Sequence, residues 1–158
     1  MEKEHQDFIQ EAIDLATENV LSGNGGPFGA LVVKQGKIVG KGVNTVTTGN
    51  DPTAHAEVNA IRDACRNLQT FQLSDCILYT SCEPCPMCLG AIYWARPEKV
   101  YYAATKTEAA EAGFDDSFIY DELKLAYEDR KIPFICIRNG RVTAAFDAWR
   151  NKDDKTPY

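Results

Sequence analysis

A chain of 158 residues, 44% hydrophobic and 25% charged, reads as one ordinary domain with enough apolar side chains for a core. Its formal net charge of −6 argues against broad affinity for nucleic acid or an anionic membrane face. No apolar run approaches membrane length and Met1-Glu-Lys-Glu-His-Gln-Asp7 has no cationic-then-apolar signal pattern, so the expected compartment is a reducing cytoplasm, with six cysteines read as metal ligands and core thiols.

Phe8, Ile9, Ala12, Ile13, Ala16 and Val20 recur at helical spacing and predict an amphipathic helix over about 5–21, covering one face of a sheet. Ser22-Gly-Asn-Gly-Gly-Pro27 stops it. The glycines here follow a helix and precede an extended run, the reverse of a phosphate cradle, so they read as a flexible turn whose backbone can approach a ligand closely. Phe28 is then either a core residue or a pocket wall. Residues 28–34 and 37–46 predict a hairpin about Gln35-Gly36, with Gly42 marking a bulge or a close approach. Asn44 fits a turn or edge asparagine, or an amide pointed into a site.

After a turn-forming loop over 47–52, Thr53 is a plausible N-cap for a helix over about 54–68. Ala54, Glu57, Ile61, Ala64 and Leu68 share one stripe of it, and Glu57, an acid on the apolar side, needs a partner or a job. A short buried strand holds Cys76-Ile-Leu-Tyr79. A helix follows from Cys85 or Pro86, with Ala91, Ile92 and Ala95 on its packed face. Val100 to Ala103 is a further strand, and 105–112 is short helix or irregular chain ended by Gly113. Asp115 and Asp116 would cap a short helix over 117–127. Phe134 to Ile137 predicts a last strand, and Val142, Ala145, Phe146 and Trp149 a last helix. The polar tail over 151–158 ends in Tyr158, either disordered or bringing an aromatic over a neighbour's pocket. Cys65, Cys76 and Cys136 read as core thiols.

The chemistry concentrates in His55-Ala56-Glu57 and Thr80-Ser-Cys-Glu-Pro-Cys85-Pro-Met-Cys88. His55, Cys85 and Cys88 are zinc-type ligands, and Cys85 and Cys88, three apart, lie on one side of a first helical turn. His55 and Glu57, two apart, can reach one site only in an open first turn, which puts the metal where two helix N-termini converge. Two thiolates and an imidazole leave one position open for an activated water on Zn²⁺, with Glu57 as its proton shuttle. Two other readings stand: a closed Cys₃His structural site that recruits Cys82, and a redox pair at Cys85 and Cys88.

His55-Ala-Glu57 and Pro84-Cys85-Pro-Met-Cys88 resemble the cytidine and nucleoside deaminase superfamily, whose nucleobase-deaminating members carry this signature. Asn50 to Glu57, Thr80 to Trp94, Ala109 to Phe118 and Gly25 to Gly29 are similar to its bacterial guanine-acting branch. That resemblance implies a three-layer α/β/α fold with a mixed five-stranded sheet, one zinc per chain, and hydrolysis of guanine to xanthine and ammonia. It also implies a homodimer that exchanges its C-terminal helix and tail, about 141–158 of a single 1–158 domain. Asn44, Ala56 and Asp116 would contact the purine, with Asp116 assisting proton transfer. Phe28 would pack on the base, and Tyr158 would approach it from the partner chain. The tRNA adenosine deaminases share the zinc motifs and are the main enzymatic alternative, but they need a basic surface for phosphates, and Arg96, Lys99, Arg130 and Lys131 are few and scattered.

Overall fold

The computed structural model describes residues 2–158, which fall into two compact units, 2–116 and 117–158. In the first unit, helix α1 (Glu2–Leu21) leads into the hairpin β1 (Gly29–Lys34) and β2 (Lys37–Val43). A short helix α2 (Val46–Gly49) follows, where only a turn was expected, and then α3 (Ala56–Leu68), β3 (Ile77–Cys82), α4 (Pro86–Ala95), β4 (Lys99–Ala104) and α5 (Lys106–Glu111).

The strands form one mixed sheet in the order β2-β1-β3-β4, with β1 antiparallel to both neighbours and β3 parallel to β4. Alternation along β1 sorts the two layers. Leu31 and Val33 face α1, joining Ala12 and Tyr79. Ala30 and Val32 face the opposite way, joining Leu78, Ala56, Ala60 and Ala64 of α3, and Ile92 and Ala95 of α4. The three-layer α/β/α class expected from the sequence is therefore formed.

The expected fifth strand is not. Phe134 to Ile137 pairs with no strand, and Ile137 is 85% exposed. An apolar β-branched run becomes a strand only when a neighbour supplies its ladder of hydrogen bonds, and in the second unit none does so. That unit holds α6 (Ser117–Lys124), a 3₁₀ turn (Tyr127–Asp129) and α7 (Ala144–Arg150). Cys136, expected as a core thiol, is exposed there, while Cys76 is buried and Cys65 half-buried.

The helix start expected at Thr53 also shifts. Thr53 donates its hydroxyl to Asp51 Oδ1 at 2.7 Å, and His55 takes the N-cap position of α3. The buried stripe of α3 is Ala56, Glu57, Ala60 and Ala64, rotated from the predicted one. Two glycines explain that rotation. A Cβ on Gly42 would stand 2.1 Å from Ala56 O, and one on Gly40 would stand 2.7 Å from Ala60 O. The α3 backbone thus lies almost against β2, and only alanines fit between. Gly42 is the close approach, and the register shift falls farther along the hairpin, between Val32, paired with Gly40, and Val33, paired with Ile38. Among the described residues no helix is long and apolar enough to cross a membrane.

Candidate active site

Two helix starts converge on one point because both N-cap residues are ligands. His55 caps α3 and Cys85 caps α4, each in extended backbone, with Pro86 opening α4. Neither side chain makes a capping hydrogen bond. Instead, Nδ1 of His55 lies 3.5 Å from Sγ of both Cys85 and Cys88. The ligand atoms of the three residues lie within 4.8 Å of one another, the grouping a metal ion requires. A soft pair of sulfurs with one imidazole suits zinc.

Cys82, the fourth ligand of a closed structural site, stands apart from this group. Its thiol faces Thr105 O at 3.8 Å, and burial pushes its pKa up to about 11, so it holds its proton at neutral pH. Three protein ligands leave a coordination position for water, the arrangement of a catalytic rather than a structural site. The residues therefore fit a catalytic zinc.

The two ligating sulfurs have unlike protons. Cys85 is pulled well below the thiol range, chiefly by the Cys88 sulfur beside it and also by His55. Cys88 is pushed well above the thiol range by that neighbouring sulfur, by burial and by Glu57. The Cys85 sulfur raises the pKa of His55 against the effect of burial. A cation displaces the remaining protons, since metal ligands must be deprotonated.

Glu57 sits in the first turn of α3 and is 5% exposed. Oε2 accepts from the Cys88 thiol at 3.4 Å, and Oε1 accepts from the Thr80 hydroxyl of β3 at 3.3 Å. Burial pushes the carboxyl above its ordinary range, opposed by its own backbone N–H, by Cys88 and by His55. The acid that broke the apolar pattern thus has a partner on each oxygen and borders the ligand group. A redox pair at Cys85 and Cys88 would leave both His55 and Glu57 without purpose.

The remaining predicted residues differ in how they lie. Asn44 is buried at the end of β2, its Oδ1 accepting from Val46 N–H at 3.2 Å. Phe28 meets Phe114 edge to face, with ring centres 5.0 Å apart. Both rings line a cavity of about 450 Å³ with Ser81 and Cys82 at the end of β3. Asp116 is half-buried, and its carboxyl is pushed up by burial and then by the charge of Cys85. Ala56 is fully buried as core between His55 and Glu57. Tyr158 belongs to the second unit and is 73% exposed. Thr80 and Asn19 were not singled out from sequence. Asn19 carries a legible signal, being a polar residue on the same α1 stripe as the buried Ala12 and Ala16.

Comparison with known proteins places these residues in context. A family model for the cytidine and deoxycytidylate deaminase zinc-binding region matches residues 2–104. The chain is 60% identical over 154 residues to guanine deaminase of Bacillus subtilis (strain 168), covering 98% of this chain and 99% of that one. An X-ray structure of guanine deaminase from Bacillus subtilis superposes with a TM-score of 0.96, covering 98% of each chain at 60% identity. A tRNA-specific adenosine deaminase of Aquifex aeolicus is 50% identical over 78 residues, 49% of this chain and 52% of the relative.

Proposed function

This chain belongs to the cytidine and deoxycytidylate deaminase family, and from that premise we propose that it hydrolyses guanine to xanthine and ammonia. The reading rests on one pairing: a buried acid beside a His/Cys/Cys ligand group, in a chain 60% identical to a guanine deaminase along 98% of its length.

His55, Cys85 and Cys88 would hold a zinc ion, which would supply a Lewis acid able to make water nucleophilic near neutral pH. Glu57 takes a proton from that water and passes it to a ring nitrogen of the base. It then takes the second proton from the new C–OH of the tetrahedral adduct and delivers it to the exocyclic amine as this leaves, so water and guanine become xanthine and ammonia in balance. A carboxyl whose burial favours the neutral form is suited to carrying the proton between these steps. Asp116, half-buried near Cys85, assists the transfer at the other edge of the base. Asn44 offers the ring edge an amide, with donor and acceptor in one group. Phe28 packs on the base.

The protein works as a homodimer that exchanges its C-terminal helix and tail, about residues 141–158, so that Tyr158 of one subunit closes the other's pocket. Exposed Ile135, Ile137 and Phe146 in the second unit support this reading, since apolar side chains left in water mark a surface that a partner covers. Six free thiols suit a reducing cytoplasm. The tRNA-acting alternative is weaker, because the likeness to the Aquifex aeolicus protein stops at 49% of the chain and a net charge of −6 disfavours a polyanion.

Ammonia release from guanine, guanosine, adenine, cytosine and tRNA tests the proposal. Guanine is expected to be the preferred substrate. Faster turnover of guanosine would overturn the choice of substrate, and silence on all five with zinc bound would leave a non-catalytic zinc module.

A further inference from the structure

The glycine-rich segment between α1 and β1 has no part in the chemistry above, yet it is tied to the residue assigned to the base edge. Asn19, near the end of α1, is 4% exposed. Its Nδ2 donates to Gly26 O at 2.8 Å and to Asn44 O at 2.9 Å. Its Oδ1 accepts from Asn24 Nδ2 at 2.7 Å, and its backbone carbonyl accepts from Asn24 N–H at 3.0 Å. Every polar atom of this side chain is therefore engaged in joining the loop to the end of β2.

The join is tight. A Cβ on Gly25 would stand 2.0 Å from Asn44 O, so the loop backbone lies directly against Asn44. Gly26 lies against the Asn44 amide and the Phe28 ring, each 3.5 Å from where its Cβ would be. Asn44 N–H in turn donates to Phe28 O at 3.2 Å. The two residues assigned to the base are thus held to each other directly, and the Asn19 amide ties both to α1.

We infer that Asn19 is a substrate-positioning residue: its amide, bridging Gly26 O and Asn44 O, sets the distance between the Phe28 ring and the Asn44 amide and so fixes the slot for a flat purine. The inference rests on the proposed roles of Phe28 and Asn44. A buried asparagine that served stability alone would lower the amount of folded enzyme and leave the affinity of what remains unchanged. A positioning residue changes affinity in the folded enzyme. The bonds of its side chain run to the loop and to Asn44, away from His55, Cys85, Cys88 and Glu57, so zinc and the chemical step are spared.

Asn19→Asp keeps the side chain's size and removes both donated bonds, because a carboxylate cannot donate to a carbonyl. In the folded, zinc-loaded variant, KM for guanine should rise about tenfold or more, the equivalent of at least one net hydrogen bond, with kcat within about twofold of wild type. Asn24→Ala removes only the bond into Asn19 Oδ1 and should move KM the same way by less. It decides the matter alone if Asn19→Asp does not fold. An unchanged KM, or a fall in kcat with KM unmoved, overturns the inference. Wild-type protein assayed alongside separates the two claims. If it releases no ammonia from guanine, the functional reading fails and this one with it. If it turns over normally and the variants keep its KM, only the role of Asn19 fails.

Discussion

Gly42→Ala should damage the active site by pushing on the helix that carries half of it. The added Cβ would stand 2.1 Å from Ala56 O and 2.3 Å from Ala60 N, both backbone atoms of α3. Van der Waals contact needs roughly 3.5 Å, so the first turns of α3 must retreat from β2 by about 1 Å. Overpacking of this kind costs about 1–3 kcal/mol of stability. Turnover suffers as well, because the same turn carries His55 and Glu57 while Cys85 and Cys88 stay on α4. A misplacement of about 1 Å among reacting groups lowers turnover by roughly a hundredfold. Thermal unfolding, zinc content and ammonia release, measured on the same preparation, should all fall together. A variant that melts like wild type, holds full zinc and turns over normally would refute the claim that close packing of α3 on β2 aims the site.

Three further outcomes follow from the site. Cys82→Ser should keep zinc and turnover, because this thiol faces Thr105 and stands outside the ligand group; loss of zinc would revive the closed structural site. Zinc retention should weaken as pH falls, since protons compete for the Cys85, Cys88 and His55 positions, and a zinc-free protein should unfold at lower temperature; metal content unaffected by acid would count against these ligands. Deleting residues 151–158 should sharply reduce turnover of guanine while leaving zinc in place, and unchanged kinetics would rule out a role for Tyr158 as a lid.

The ligand group was readable because coordination chemistry restricts both residue type and spacing. His55 and Glu57 two apart, with Cys85 and Cys88 three apart, have a common solution only at open helix starts. For α3 the sequence did not reveal that the ligand His55 would itself be the N-cap. Thr53 has the better capping side chain, and its loss to Asp51 depends on a local loop bond that propensity does not encode. The β1–β2 hairpin was legible from alternation and from Gln35-Gly36, while the rotation of α3 was not, because Gly40 and Gly42 act through a neighbour distant in sequence. Phe134 to Ile137 looks like a strand by composition, yet strand formation depends on a partner, which composition cannot supply. Asn19 could have been suspected, since a polar residue in line with Ala12 and Ala16 must find hydrogen bonds when buried. Which carbonyls it would meet was knowable only from the packed loop.

Glu57→Gln gives the most direct test of zinc-dependent deamination by this chain. The amide keeps the shape and can still meet Thr80, but it cannot take or return a proton. The predicted result is a protein with zinc bound as in wild type and kcat lower by about a hundredfold or more. Near-normal kcat with zinc in place would contradict the assignment of Glu57 as the proton carrier.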